Sequence, residues 1–287
     1  MTLPDLQHHR VEVLLEALPY IQRFRGAVVV VKFGGNAMTS PELFDRFASD
    51  IALMHSVGMR PVVVHGGGPQ IGEWLGRMGK ESAFVDGHRV TDAETLEIVT
   101  MVLLGKVNSA VVSAINVHGP IAVGLSGQDA GLIVAAERHP DLGFVGDVSD
   151  VNPEIVQRLV SMDMVPVVAT VGTGEGGQAY NINADAVAGA IAQSISADKL
   201  VFLTDVAGVL RDVDDPDSLI ASLTMAQASM LVTDGVVAGG MIPKIEGCMR
   251  ALDNGVREVH LVDGRVPHAV LLELFSDAGV GTLITRA

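Results

Sequence analysis

Six short runs dense in valine and isoleucine punctuate this chain, at residues 27–33, 61–65, 121–125, 165–171, 200–204 and 259–262, with longer stretches of helical periodicity between them. The runs show little polar alternation, which is how strands covered on both faces read. Strand-helix-strand order needs crossovers, so it implies an α/β fold with a mostly parallel sheet and helices on both faces. The helices carry start signals. Ser40-Pro41 sets an N-cap before a proline at the first helical position, and Asn152-Pro153 repeats the arrangement. Thr91-Asp92-Ala93-Glu94 reads as a capping box. Residues 211–218 are acidic, contain Pro216, and read as an exposed loop or hairpin.

At 287 residues and 48% hydrophobic, the chain can bury a core large enough for one α/β domain or two fused lobes. A soft boundary near 194–198 separates lobes 26–195 and 196–287. Ahead of them, Val11, Leu14, Leu15, Leu18 and Ile21 form one face of an amphipathic helix within residues 1–25, with a kink expected at Pro19. Such a helix either packs on the sheet or meets another subunit. The balance of 19 Lys+Arg against 34 Asp+Glu, net -15, argues against a nucleic-acid partner. It also means that an anionic substrate needs locally placed lysines. Cys248 is the single cysteine, which fits a reducing cytoplasm. No uninterrupted apolar run approaches the roughly 20 residues of a membrane span, and the first ten residues lack a signal-peptide profile.

Two strands end in glycine. Val31-Lys32-Phe33-Gly34-Gly35-Asn36 and Val64-His65-Gly66-Gly67-Gly68-Pro69 both let backbone N–H groups approach an anion. Lys32 is then a phosphate ligand in the crevice at the strand ends, or an exposed lysine at a tight turn. Neither strand end carries the dinucleotide fingerprint G-x-G-x-x-G, and no G-x-x-x-x-G-K-[ST] occurs in the chain, so the commonest nucleotide folds are excluded. Arg89, in Gly87-His88-Arg89-Val90-Thr91, can fork onto a carboxylate or sit on the surface. Asp185 follows Asn181-Ile182-Asn183-Ala184 in a first helical turn, as a dipole-favouring residue or as a carboxylate that holds lysines. Gly239-Gly240-Met241-Ile242-Pro243-Lys244 opens another helix, whose face Ile245, Cys248, Met249 and Leu252 makes Cys248 a core residue. Lys244 there opposes the macrodipole, a conflict that a bound phosphate resolves. The nine histidines show no metal spacing.

These motifs, with Leu203-Thr204-Asp205-Val206, stand in an order that resembles the amino-acid kinase family, and within it the kinases of N-acetylglutamate. The resemblance spans nearly the whole chain. It implies a three-layer αβα sandwich, with the amino-acid site in the N-terminal lobe and ATP in the C-terminal lobe. It implies that Gly66, Gly67, Arg89 and Asn181 hold N-acetyl-L-glutamate, that Lys32 and Lys244 stabilise the phosphoryl group in flight, and that Asp185 organises them. Gly34, Gly35, Thr204, Asp205, Val206, Gly239, Gly240 and Met241 would line the nucleotide site. Mg²⁺ would be held mainly by the ATP phosphates, because the motifs supply no carboxylate cluster for it. An ionised carboxylate acceptor needs no general base, which suits motifs that offer lysines and glycine amides.

Rival readings are a sibling kinase for glutamate, aspartate, carbamate or UMP, a non-catalytic arginine sensor on the same fold, and a dehydrogenase. The context of Arg89 disfavours the first, the intact lysines and Asp185 the second, and the lack of a dinucleotide fingerprint at either glycine-rich strand end the third. Relatives with an N-terminal helix resemble ring-shaped hexamers, trimers of dimers inhibited by L-arginine. The corresponding effector residues here are Tyr20, His260, Glu273 and Gly279, with Glu273 facing the guanidinium and Tyr20 supplying an aromatic wall.

Overall fold

The computed structural model describes residues 3–276 and 279–287. Helix α1 (Leu3–Phe24) precedes strand β1 (Val28–Phe33), then come α2 (Pro41–Ser56), β2 (Arg60–His65) and α3 (Gly68–Arg77). A hairpin of β3 (Phe84–Val85) and β4 (His88–Arg89) leads into α4 (Ala93–Thr100), a π-helical stretch (Met101–Asn108) and α5 (Ser109–Asn116), all continuous. Next are β5 (Ala122–Ser126), β6 (Ile133–Glu137), β7 (Val145–Val151), α6 (Glu154–Ser161), β8 (Val165–Ala169), β9 (Val171–Thr173) and β10 (Ala179–Ile182). The chain closes with α7 (Ala184–Ser194), β11 (Lys199–Thr204), β12 (Ser222–Thr224), α8 (Met225–Thr233), α9 (Met241–Asp253), β13 (Glu258–Asp263), α10 (Ala269–Leu274) and β14 (Thr282–Thr285).

One eight-stranded sheet runs through the molecule in the order β12-β14-β13-β11-β1-β2-β8-β5, with only β13–β14 antiparallel. β1 lies inside it. Its odd residues Val29, Val31 and Phe33 enter one core cluster with Phe47 and Ile51 of α2. Val30 enters the other, with Val187 and Ile191 of α7 and Ile245, Cys248 and Leu252 of α9. Two cores on the two faces of one sheet make the expected three-layer sandwich. Burying each valine of β1 contributes roughly 1.5–3 kcal/mol, and this is what the unbroken Val run encodes. The register pairs Phe33 with His65 and Lys32 with Phe202, so the turns after β1, β2 and β11 emerge at one sheet edge. That edge is where open α/β sheets bind ligands.

All six expected strands are present, with two corrections nearby. The run 165–171 is two strands, because the chain leaves the central sheet at Thr170 and enters a small closed barrel of β10-β7-β6-β9. The capping box is absent. Asp92 caps α4 by accepting the Thr95 N–H at 2.8 Å, while buried Thr91 donates its hydroxyl to the Arg89 carbonyl at 2.7 Å. Asp92 also forms an ion pair with Lys80 at 2.7 Å, which an uncharged threonine cap could not. Ser40 does cap α2, and Asn152 accepts from Glu154 N at 3.2 Å just outside α6. Residues 211–218 form an exposed loop closed by the Leu210–Leu219 bridge.

α1 runs unbroken through Pro19. Phe24 at its end is buried against the Phe275 ring at 6.0 Å, whereas Val11, Leu14, Leu15 and Leu18 are 42–68% exposed. Among the described residues, only the stretch Ala93–Asn116 is long and apolar enough to cross a membrane. It is a core element here, with Leu103, Val107, Val111 and Ile115 at most 3% exposed.

Candidate active site

Helix α7 begins where Asn183 accepts the N–H groups of Asp185 at 2.8 Å and Ala186 at 3.2 Å. The cap projects the Asp185 carboxylate from the first turn. Lys32, at the end of β1, brings Nζ to 3.0 Å from Oδ1, and Lys244, in the first turn of α9, brings Nζ to 2.9 Å from Oδ2. Three elements thus converge on one carboxylate flanked by two ammonium groups. Burial alone would raise the Asp185 pKa, but the charges of Lys32 and Lys244 outweigh it and hold the carboxyl below its ordinary value. The same contact offsets the unfavourable position of Lys244 at a helix N-terminus. One turn further, Cys248 is fully buried and burial raises its thiol pKa, as befits a core residue.

The glycines after β1 leave room for this arrangement. A Cβ at Gly34 would stand 2.7 Å from Lys32 Nζ. Gly35 has φ +66°, and a Cβ there would meet Asp205 Oδ1 at 2.6 Å, so glycine both permits the turn and lets it touch the β11 turn. In that second turn the Thr204 hydroxyl donates to the Val206 carbonyl at 2.8 Å. Gly239 and Gly240 are exposed and lead into Met241 at the start of α9, beside Lys244. The expected nucleotide residues therefore lie on the turns after β1 and β11 and on the approach to α9.

The expected acceptor residues lie on the β2 side. Gly66 is 3.4 Å, measured from its would-be Cβ, from the Cβ of Ala184, the neighbour of Asp185. Its N–H donates to the Phe33 carbonyl at 3.3 Å, while the Gly67 N–H has no partner among the described residues. A Cβ at Gly67 would come within 2.7 Å of Leu103. Arg89 is nearly buried. Its guanidinium donates to the Ser82 hydroxyl and, at 3.0 Å, to the Gly68 carbonyl, and lies 4.7 Å from the Phe84 ring centre. Burial lowers its pKa. Asn181 Nδ2 donates to the Thr91 hydroxyl oxygen at 3.3 Å.

Of the four residues expected to bind an effector, His260, Glu273 and Gly279 meet one another, and Tyr20 packs against Phe275. The Tyr20 ring lies 6.3 Å from that of Phe275. His260 Nδ1 is 2.7 Å from Glu273 Oε1, and Gly279, at φ +62°, leaves only 2.7 Å between a would-be Cβ and Oε2. Glu273 does not stand free to meet a guanidinium, however. It is buried and its Oε2 accepts the N–H groups of Val280 and Gly281 at 2.8 and 2.9 Å. Burial would raise its pKa, but these contacts hold it below the usual value.

Several supporting residues escaped the sequence reading: Ser82, the Thr91 hydroxyl, and the buried pair His65 and Asn108. A lone asparagine inside the apolar run 101–112 was the available signal, since a buried amide needs partners. No group of three or more His, Cys, Asp or Glu placed to hold a metal occurs among the described residues. The centre can stabilise a polyanion passing between two substrates. It offers no His-based proton relay, because the His65 ring is enclosed and burial lowers its pKa to about 4.

The model of the amino acid kinase family matches residues 27–263. An acetylglutamate kinase of Moorella thermoacetica is 52% identical, covering 99% of this chain and 99% of its own length. One of Trichodesmium erythraeum is 55% identical, covering 96% and 94%. Among solved structures, the N-acetylglutamate synthase of Neisseria gonorrhoeae complexed with coenzyme A and N-acetyl-glutamate has a TM-score of 0.85 at 24% identity. That match covers 96% of this chain, which spans only 63% of the synthase. Carbamate kinase from Giardia lamblia bound to AMP-PNP gives 0.68 at 18% identity, over 91% and 99%. At such identities both structures speak for the fold alone.

Proposed function

Because the chain belongs to the amino acid kinase family and is a kinase, we propose that it transfers the γ-phosphoryl group of ATP to the side-chain carboxylate of N-acetyl-L-glutamate. The product is N-acetyl-L-glutamyl 5-phosphate, in the second step of arginine biosynthesis. The names of its relatives support the substrate. The observation that carries the mechanism is Asp185 held between Lys32 at 3.0 Å and Lys244 at 2.9 Å.

An acceptor carboxylate is ionised at neutral pH, so transfer depends on alignment and on neutralising the equatorial oxygens of the phosphoryl group. Lys32 reaches that group from the β1 turn and Lys244 from α9. Asp185 fixes both ammonium groups beforehand, so little reorganisation is needed as charge develops. The Gly66-Gly67 turn and Asn181 hold the acceptor, and Arg89 takes its α-carboxylate, which would replace or join the Ser82 and Gly68 contacts. Gly34, Gly35, Thr204, Asp205, Val206, Gly239, Gly240 and Met241 receive ATP, with Mg²⁺ arriving on its phosphates. Residues 26–195 then form the acceptor lobe and 196–287 the nucleotide lobe. ATP as co-substrate fits a cytoplasmic setting.

We further propose that L-arginine inhibits the enzyme at Tyr20, His260, Glu273 and Gly279, and that α1 joins subunits into a hexamer, a trimer of dimers. The exposed Val11, Leu14, Leu15 and Leu18 support the second part. A guanidinium would have to share Glu273 with His260. ADP release coupled to NADH oxidation, with N-acetylglutamate against glutamate, aspartate, carbamate and UMP, tests the assignment. Turnover of glutamate as fast as N-acetylglutamate would overturn it.

A further inference from the structure

Asn108 ends the π-helical stretch and is 7% exposed. Its Nδ2 donates to the Val167 carbonyl at 2.9 Å and to His65 Nε2 at 3.0 Å, and lies 3.3 Å from the Leu125 carbonyl. Carbonyls only accept, so the amide nitrogen must face them. The same logic assigns the histidine. His65 Nδ1 is 2.9 Å from the Gly66 carbonyl oxygen, so Nδ1 carries the hydrogen. In the neutral ring Nε2 is then a bare acceptor for Asn108. One tautomer satisfies every contact, and none of them belongs to the two-lysine centre.

We infer that His65 and Asn108 are positioning residues for the acceptor, acting through the Gly66–Gly67 peptide plane. The Gly66 carbonyl and the Gly67 N–H are the two sides of one planar trans peptide and point in opposite directions. Holding the carbonyl from the buried side aims the N–H away from the core. That N–H is the one without a partner among the described residues. A carbonyl that accepts a hydrogen bond also polarises its own peptide and strengthens the N–H as a donor. The π-helical winding supplies both restraints. It carries Asn108 to His65, and it sets Leu103 and Val107 against Gly67, where a Cβ would approach them to 2.7 and 3.3 Å. Such winding is rare and concentrates at functional sites. The inference rests on the proposal that Gly67 contacts the acceptor.

The test uses the full-length enzyme with His65→Leu, His65→Asn and Asn108→Leu. Asparagine at 65 can reproduce the Nδ1 donor to Gly66, and leucine cannot. Losing the aim of one donor to a charged acceptor should lower kcat/KM for N-acetylglutamate roughly 10- to 100-fold in both leucine variants. KM for ATP should stay within about twofold, and His65→Asn should recover to within about fivefold of wild type. The inference is overturned if His65→Asn falls as far as His65→Leu, or if the ATP and acceptor constants deteriorate together. In parallel, the Gly67 amide is followed by NMR in ¹⁵N-glycine-labelled protein titrated with N-acetyl-L-glutamate. No shift in the wild type defeats the acceptor contact itself. An equal shift in wild type and His65→Leu defeats only the positioning role.

Discussion

Replacing Asp185 by asparagine changes one charge and almost no volume. In the native protein each carboxylate oxygen serves one lysine, at 3.0 and 2.9 Å. An amide keeps one acceptor oxygen and turns an NH₂ toward the other ammonium, donor against donor. One charge-assisted bond is therefore lost and the other weakened. Each such bond contributes about 1.5–3 kcal/mol net, so roughly 3 kcal/mol of pre-set geometry should disappear. At about 1.4 kcal/mol per decade, kcat should fall on the order of 100-fold. KM for ATP should change less, because both cations still meet its phosphates. The depressed Asp185 pKa means the carboxylate is ionised above the acid range, so the deficit should be the same from pH 6 to 9. The assay is ADP release at saturating substrates, with Lys32→Met and the double variant alongside. If the lysines and Asp185 act as a unit, the double variant should lose far less than the product of the single losses. A kcat within threefold of wild type for Asp185→Asn would refute the reasoning.

Arg89→Lys keeps a charge but loses the fork that reaches Ser82 and Gly68, so KM for N-acetylglutamate should rise about tenfold with ATP KM unchanged; equal effects on both substrates in steady-state kinetics would argue for a structural role. Deleting residues 1–25 should yield a smaller, active, arginine-insensitive enzyme, and unchanged sedimentation with intact inhibition would contradict the role given to α1. His65, with its folded pKa lowered from 6.5 to about 4, stays neutral while the unfolded chain takes up a proton, so its contribution falls as pH drops from 6.5 to 4. The loss should total about 3 kcal/mol. Asp50, raised to about 6 by burial, stabilises in the opposite sense over the same range, so the quantity to measure is the urea-midpoint difference between wild type and His65→Asn against pH. A flat difference would exclude a buried neutral His65.

The central sheet was readable because its strands are buried on both faces, and unbroken β-branched runs leave one interpretation. The small barrel was not. Its strands are short, and β7 (Val-Gly-Asp-Val-Ser-Asp-Val) has one wet face, so its hydrophobic signal is half that of β1. Lys32, Asp185 and Lys244 stood out because each sits at a strand or helix end beside glycine or a cap, and Lys244 violates the dipole rule. The local sequence around Thr91 is misleading. A threonine followed by Asp-Ala-Glu matches a cap by spacing, and only tertiary contact reveals that Asp92 takes the role while Thr91 bridges Arg89 and Asn181. Glu273 belongs to the same class. Sequence shows a carboxylate, but whether it faces a ligand or two backbone N–H groups is decided by the packing of α10 against β13 and β14. The π winding that delivers Asn108 has no compositional mark at all.

The interior place of β1 has a consequence for synthesis. β2 can pair with it some 30 residues later, but its other edge waits for β11, with Val29 joined to Lys199 across 170 residues. At ribosomal speeds of about 5–20 residues per second, that gap lasts roughly 10–35 s. Throughout it, Val28-Val29-Val30-Val31 is an apolar strand with an open hydrogen-bonding edge, the kind that recruits foreign strands. Nascent chains of this enzyme should therefore lean on holding chaperones until residue 204 has emerged. Lys244 arrives later still, so the two-lysine centre is completed only after α9 has emerged, and no released fragment lacking α9 can carry it.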